Sequence, residues 1–251
     1  LVGIFLMLPQ AALPPLPQRV PSIPAGGSAS PHAIPGVIQL IHVGGADSTF
    51  GQTARLLAEQ IRALSHGSLQ VEVLPDGRFQ GRKYGELALM RMLQEGRFAL
   101  AFLSTAPMAN VDPALAVLDL PFLFDSYDHA DRVLDGPIGQ ALLADLDKVQ
   151  MKGLAFWENG FRNLTNSRKV IKTPEDAKGL KIRTMENPVH IQAWKTAGVN
   201  PTPMAWGEVY SALAKGVLDG VVAPADTLKS LHFAEVAQYF TEMKIPRGAY
   251  A

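Results

Sequence analysis

Two arginines carry the chemistry most worth tracing: Arg162 in "GFRN" and Arg183 in "KIRT". A planar guanidinium makes paired contacts with a carboxylate, and two that converge recognise an organic anion strongly. In "LKIRT", Leu180 and Ile182 alternate with Lys181 and Arg183. That is strand periodicity, and it sets Arg183 near the carboxyl end of a strand, where open α/β sheets present their ligands. A structural salt bridge is the competing reading for each arginine. Glu86 could accept ligand hydroxyls or orient an arginine, and Glu208 has the same options. Both lie at helix starts, where solvent exposure and attraction to the helix field account equally for an acid. Phe50, Phe79, Trp157, Trp194, Trp206 and Tyr210 could line a partly apolar recess, although their spacing also suits core residues. Trp206 is distinguished by the proline-rich turn before it.

Organised support for catalysis is missing. The histidines at 32, 42, 66, 129, 190 and 232 form no H-E-x-x-H pattern, and no nucleophile elbow appears. Asp125, Asp128 and Asp131 with His129 read as a solvated helix entrance rather than a metal site. Gly44-Gly45 and "PDGRFQG" lack a dinucleotide or phosphate-loop fingerprint, so no cofactor is expected. Arg78, Arg82 and Lys83 make a short basic patch with no nucleic-acid module around it.

The elements that must position these residues are those of an α/β protein. Of 251 residues, 47% are hydrophobic, enough for a substantial core in one large or two small domains. Lys plus Arg is 23 and Asp plus Glu is 23, a balance that offers no global field for nucleic acid or acidic membranes. Cysteine is absent, which removes disulfides, thiolate catalysis and cysteine metal sites.

The opening "LVGIFLML" is an apolar run too short to span a bilayer, and a proline-rich stretch follows it. Residues 1–36 read as the apolar part of an export signal plus a flexible leader, with a displaced buried strand as the alternative. The ordered domain is expected from Val37 or Ile38.

From there "VIQLIHV", the helical "TFGQTARLLAEQIRALS" and "LQVEVL" predict strand, helix, strand. Leu56, Leu57, Ile61 and Leu64 are expected near one face of that helix. Pro75-Asp76-Gly77 marks a turn, "KYGELALMRMLQEG" a helix, and "FALAFLS" a buried parallel strand. "ALAVLDLPFLF" is apolar, but Pro121 interrupts a strand there. Helices are expected over Tyr127 to Leu134 and Ile138 to Val149.

In the second half Thr173, Pro174 and Asp176 predict a capped helix start that Gly179 ends, and Asn187-Pro188 predicts another. A helix over Trp206 to Lys215 should seat Val209 and Leu213. "VLDGVVAP" reads as a strand or interdomain crossing, and "LHFAEVAQYF" as a helix or helix-to-strand transition. The expected domains are 37–155 and 156–251, two α/β lobes joined by hinge strands around a ligand cleft. The second lobe is expected to stop short of its last elements.

The stretch from Trp157 to Gly220, with "GFRN", "KIRT", "NPTPMAWGEVYSALAKGVLDG" and the earlier "VEVLPDGRFQGRKYGE" and "LPFLFDSYDHADRVLDG", strongly resembles the DctP-type solute-binding proteins of TRAP transporters. The resemblance runs from about Val37 to the end. It implies a periplasmic or otherwise extracytoplasmic, two-lobed α/β fold of the periplasmic-binding-protein kind. Such a protein, a monomer and no enzyme, closes on a small organic acid (sugar acid, hydroxyacid or dicarboxylate) and delivers it to a TRAP membrane permease. By the same resemblance Arg183 is the dominant carboxylate clamp, Arg162 a second arginine, Glu86 a polar contact, and Trp206 and Met204 the loop-helix region beside the pocket. Where the family continues "DG" with a Gln-Glu-Asn-Pro-like sequence, this chain has "VVAP", and Ala223 cannot reproduce an amide contact. A nontransport sensory module and an α/β small-molecule enzyme are the alternative functions.

Overall fold

The computed structural model describes residues 7–8, 37–157 and 160–243. The expected leader over 1–36, residues 7–8 apart, the turn at Glu158-Asn159 and the tail beyond Met243 lie outside the described residues. Within the opening apolar run, β1 (Met7–Leu8) is a short strand. It pairs antiparallel with Lys152–Gly153, which supplies partners for its backbone.

The first lobe is wound around three parallel strands. After β2 (Val37–His42) come α1 (Thr49–Leu64), β3 (Gln70–Leu74), the small hairpin β4 (Arg78–Phe79) and β5 (Arg82–Lys83), α2 (Glu86–Gln94) and β6 (Leu100–Phe102). The order β3-β2-β6 puts β2 at the centre. Leu40, Leu100 and Phe102 face Phe50 and Ala54 of α1, while Ile41 and Ala101 face Leu89, Met90 and Leu93 of α2. With apolar cover on both faces the strands need no polar alternation, which explains the continuous run "FALAFLS". The buried stripe of α1 is Phe50, Ala54, Leu57 and Ile61. Leu56 and Leu64, expected on that face, project into solvent at 60% and 80% exposure: Leu56 points away from the stripe, and Leu64 is the last residue of the helix.

The lobe continues with α3 (Thr105–Met108), a 3₁₀ turn at Pro113–Asp119, α4 (Tyr127–Leu134), α5 (Pro137–Asp145), a 3₁₀ turn at Leu146–Val149 and β7 (Lys152–Gly153). The apolar 114–124 segment is thus no strand. Asp112 caps its 3₁₀ turn by accepting from Ala114 N–H, and Leu115, Leu118 and Phe124 enter the core.

The second lobe holds β8 (Arg162–Asn166), a 3₁₀ turn at Pro174–Ala177, β9 (Lys181–Thr184), α6 (Pro188–Thr196), β10 (Asn200–Pro203), α7 (Trp206–Ala214), β11 (Gly220–Pro224), α8 (Ala225–Ser230), a 3₁₀ turn at Phe233–Glu235 and β12 (Tyr239–Thr241). The Asp176 carboxylate accepts from the Thr173 N–H, as the capping pattern requires. The sheet order is β10-β9-β11-β8-β12, with β8 antiparallel to both β11 and β12. Val222 packs with Leu164, Ile182 and Trp194 on one face. Val221 and Ala223 pack with Val209, Leu213 and Leu228 on the other. The sequence reading missed β10 because "NPTP" has two prolines, but an edge strand tolerates them.

One buried group at the end of β2 should make the first lobe sensitive to acid. The His42 ring is fully buried, stacked on Phe50 at 6.2 Å, with neither ring nitrogen hydrogen-bonded. Burial lowers its pKa from 6.5 to about 4, against the opposing pull of Asp76. Between those values the unfolded chain takes up a proton that the folded ring refuses, so stability falls as pH drops below 6.5. The full effect is about 3 kcal/mol by pH 4. His42→Phe should remove this share of the acid limb, read as a smaller loss of urea midpoint between pH 7 and pH 4.5 than in the wild type.

Candidate functional site

The sheet of the second lobe delivers both arginines to one edge. Arg183 is at the carboxyl end of β9, which runs parallel to β11, and Arg162 opens β8, which runs the other way. The antiparallel reversal therefore pairs Arg162 with Pro224 at the carboxyl end of β11. The two guanidiniums flank β11 and enter the same cleft between the lobes. Its walls include Glu86, Ser104, Trp206, Ala223 and the loop Val43–Gly44.

Each guanidinium is buried, Arg183 at 3% exposure and Arg162 at 7%. Among the described residues neither has a carboxylate within 4.0 Å, although both act on Glu86 through space. Arg183 donates from Nε to the Met204 carbonyl at 2.8 Å and lies over the Trp206 ring, 5.3 Å from its centroid. These contacts fix the plane of the guanidinium and leave its two terminal nitrogens for a ligand. Arg162 donates to the Val222 carbonyl at 3.2 Å and to the Met185 sulfur, while its Nε has no acceptor.

Burial lowers the Arg183 pKa to about 9, and the neighbouring Arg162 charge adds to the fall, with Glu86 and Glu186 opposing it. Burial likewise lowers Arg162 to about 10, opposed by Asp119 and Glu86. At neutral pH both remain cationic, so the cleft holds two positive charges without full compensation. An anion entering it would be attracted through a medium that screens poorly.

Glu86 does not lie in solvent, as its place at a helix start suggested. It is buried at 6% exposure and accepts from the Ser104 N–H at 2.6 Å. Burial raises its pKa, while the Ser104 bonds and both arginines pull it down. One carboxylate oxygen thus has a fixed partner and the group borders the cleft. Trp206 forms a wall, stacked on Phe233 at 5.3 Å. Met204 is beside the cleft rather than on its lining, and its contribution is the backbone carbonyl that holds Arg183. Glu208 is exposed. Of the other aromatics, Phe50 lines the cleft with Trp157 packed on it at 6.2 Å, whereas Phe79 and Trp194 are core residues. Tyr210 is turned to Glu235, whose carboxylate accepts its hydroxyl at 2.8 Å.

Several polar groups of the cleft escaped the sequence reading: Ser48 and Thr49 at the start of α1, Ser104, and Thr227 and Ser230 on α8. Thr227 and Ser230 are three apart and so share a helix face, a spacing that could have revealed them had α8 been recognised. Among the described residues no cluster of His, Asp or Glu suits a metal ion.

A family model described as DctP, bacterial extracellular solute-binding protein family 7, matches residues 40–251. A solute-binding protein of Verminephrobacter eiseniae is 44% identical over 178 residues, covering 68% of this chain and 53% of the relative. The sugar acid binding protein DctPAm of Advenella mimigardefordensis, solved with galactonate, has a TM-score of 0.79 at 38% identity, over 82% of this chain and 65% of that one. A TRAP periplasmic solute-binding protein of Polaromonas, bound to D-erythronate, has a TM-score of 0.79 at 34% identity, over 86% of this chain and 69% of that one. The chain spans about half the length of the curated relatives it matches.

Proposed function

The chain belongs to the DctP family of bacterial extracellular solute-binding proteins, and from that premise we propose that it captures a small organic acid outside the cytoplasm and delivers it to a TRAP membrane permease. The observation that carries this reading is the pair of buried, cationic guanidiniums on one cleft with no carboxylate of the described residues within 4.0 Å of either. The ligand carboxylate supplies the missing partner. Arg183 clamps it, Arg162 adds charge and orientation, and closure of the lobes excludes water and strengthens both contacts. Glu86 accepts a ligand hydroxyl, and Trp206 fixes the guanidinium plane while bounding the ligand on one side. Sugar acids, hydroxyacids and dicarboxylates all present the required carboxylate. No bond is made or broken in this cycle, so the protein works as a receptor and not as an enzyme.

A panel of galactonate, erythronate and succinate, with uncharged galactitol as control, tests the reading in the protein with its natural termini. A bound acid at about 100 times its Kd should stabilise the fold by about 2.7 kcal/mol, and galactitol should do nothing. Native mass spectrometry should show one acid per chain. A melting curve unmoved by every acid, or moved equally by galactitol, would refute the proposal.

A further inference from the structure

A second polar constellation occupies the seam between the lobes, and its centre is Asn187. The side-chain oxygen caps α6, accepting from the His190 N–H at 2.9 Å. The amide nitrogen crosses to the first lobe, where it donates to the Ala106 carbonyl at 2.8 Å and to the Asp119 carboxylate at 2.7 Å. The second oxygen of Asp119 is 3.3 Å from His190 Nε2. Asn187 and Asp119 have no exposed surface and His190 has 3%. Nearby, Asn110 of the first lobe donates to the Glu186 carbonyl at 2.6 Å.

Capping α6 requires one acceptor, which serine, threonine or aspartate supplies equally well. Asparagine adds a donor, and here that donor is spent entirely on the opposite lobe. The seam also adjoins the arginines. Met185, two residues before Asn187, accepts from Arg162, and His190 and Thr184 line a small cavity with Arg162 behind the cleft. Separating the lobes at this seam would strip a buried carboxylate of its amide partner, which a low-dielectric interior resists.

We propose that Asn187 is a positioning residue for anion capture, its amide bonds to Ala106 and Asp119 holding the lobes in the arrangement that sets Glu86 and Ser104 of the first lobe across the cleft from Arg162 and Arg183. The inference rests on the anion-capture reading above and assigns the closing contact to a residue outside the cleft lining.

Asn187→Ser keeps the cap and removes the cross-lobe donor, and Asn187→Ala removes both. Off-rates of galactonate, erythronate and succinate are measured for the wild type and both variants, together with melting of the ligand-free proteins. The chain has no cysteine, so Ser68→Cys and Lys172→Cys also allow a single pair of spin labels, one per lobe. The expected result is an off-rate raised about 10- to 100-fold in both variants, a broader inter-lobe distance distribution in both, and ligand-free melting lowered in both but further in Asn187→Ala, which also loses the cap. Unchanged off-rates and distances in Asn187→Ser would overturn the proposal. Equal melting losses in the two variants at unchanged off-rate would also overturn it, since the contacts would then be fixed packing. If the wild type binds none of the acids, the anion-capture reading fails and this inference with it; if it binds one and Asn187→Ser matches it, the inference alone fails.

Discussion

Replacing Arg183 by methionine is expected to weaken organic-acid binding by about two to three orders of magnitude while making the ligand-free protein more stable. The guanidinium is 3% exposed and has a second cation, Arg162, as an electrostatic neighbour. Its desolvation is repaid by one carbonyl bond and the Trp206 face, not by a carboxylate. Methionine retains the length and packs its thioether on the indole, so the lost contacts are partly replaced. Removing an incompletely compensated buried charge should therefore raise ligand-free stability by on the order of 1–3 kcal/mol. Binding should weaken by about a hundredfold to a thousandfold, the cost of losing a paired charge-assisted contact. Calorimetric titration and ligand-free melting, run side by side, check both halves. A variant that binds normally removes Arg183 from the site, and one that binds poorly but melts lower shows the residue to be structural.

The second large effect concerns backbone rather than charge. Gly51→Ala should destabilise the first lobe by about 3 kcal/mol and weaken acid binding with it. A β-carbon at Gly51 would collide with the Ala46 carbonyl oxygen and come within 2.8 Å of the Gly45 oxygen. Both are backbone atoms and cannot rotate aside. The loop they belong to is already fixed, since Ser48 Oγ donates to Gly45 at 2.6 Å and Arg55 donates to Ala46 at 2.6 Å. Displacing it moves Gly44 and Ser48, which line the cleft. Urea unfolding and acid titration of the variant give the two readouts. Unaltered values in both would mean the loop yields freely.

Both effects turn on features of different visibility in the sequence. Arg183 was legible because the alternation in "LKIRT" fixes a strand and an exit point, and a strand's carboxyl end is where α/β proteins place ligands. Arg162 was legible as a residue type, but its convergence with Arg183 depends on the antiparallel direction of β8, which no local pattern encodes. Glu86 looked like an ordinary helix-start acid, and its burial follows from the Ser104 N–H on the next strand's exit. The Asn187–Asp119 bond spans 68 positions, so Asn187 could be read from sequence as a cap and not as a bridge. Local signals were also misjudged where two structures compete for the same residues. Prolines in "NPTP" conceal an edge strand, and the apolar residues Leu56 and Leu64 suggest a common face, whereas Leu56 points away from it and Leu64, at the helix end, meets nothing to bury it.

The arginines stand on the strands β8 and β9, whereas the hydroxyls of Thr227 and Ser230 stand on α8 and those of Ser48 and Thr49 at the start of α1. On the proposed reading, holding a charge and choosing among its bearers would fall to separable parts of the molecule. The exposed side chains of a six-residue helix can be exchanged without touching the strand register that sets the guanidiniums. A library confined to α8 should accordingly redirect this receptor from one acid to another while leaving its requirement for an acid intact.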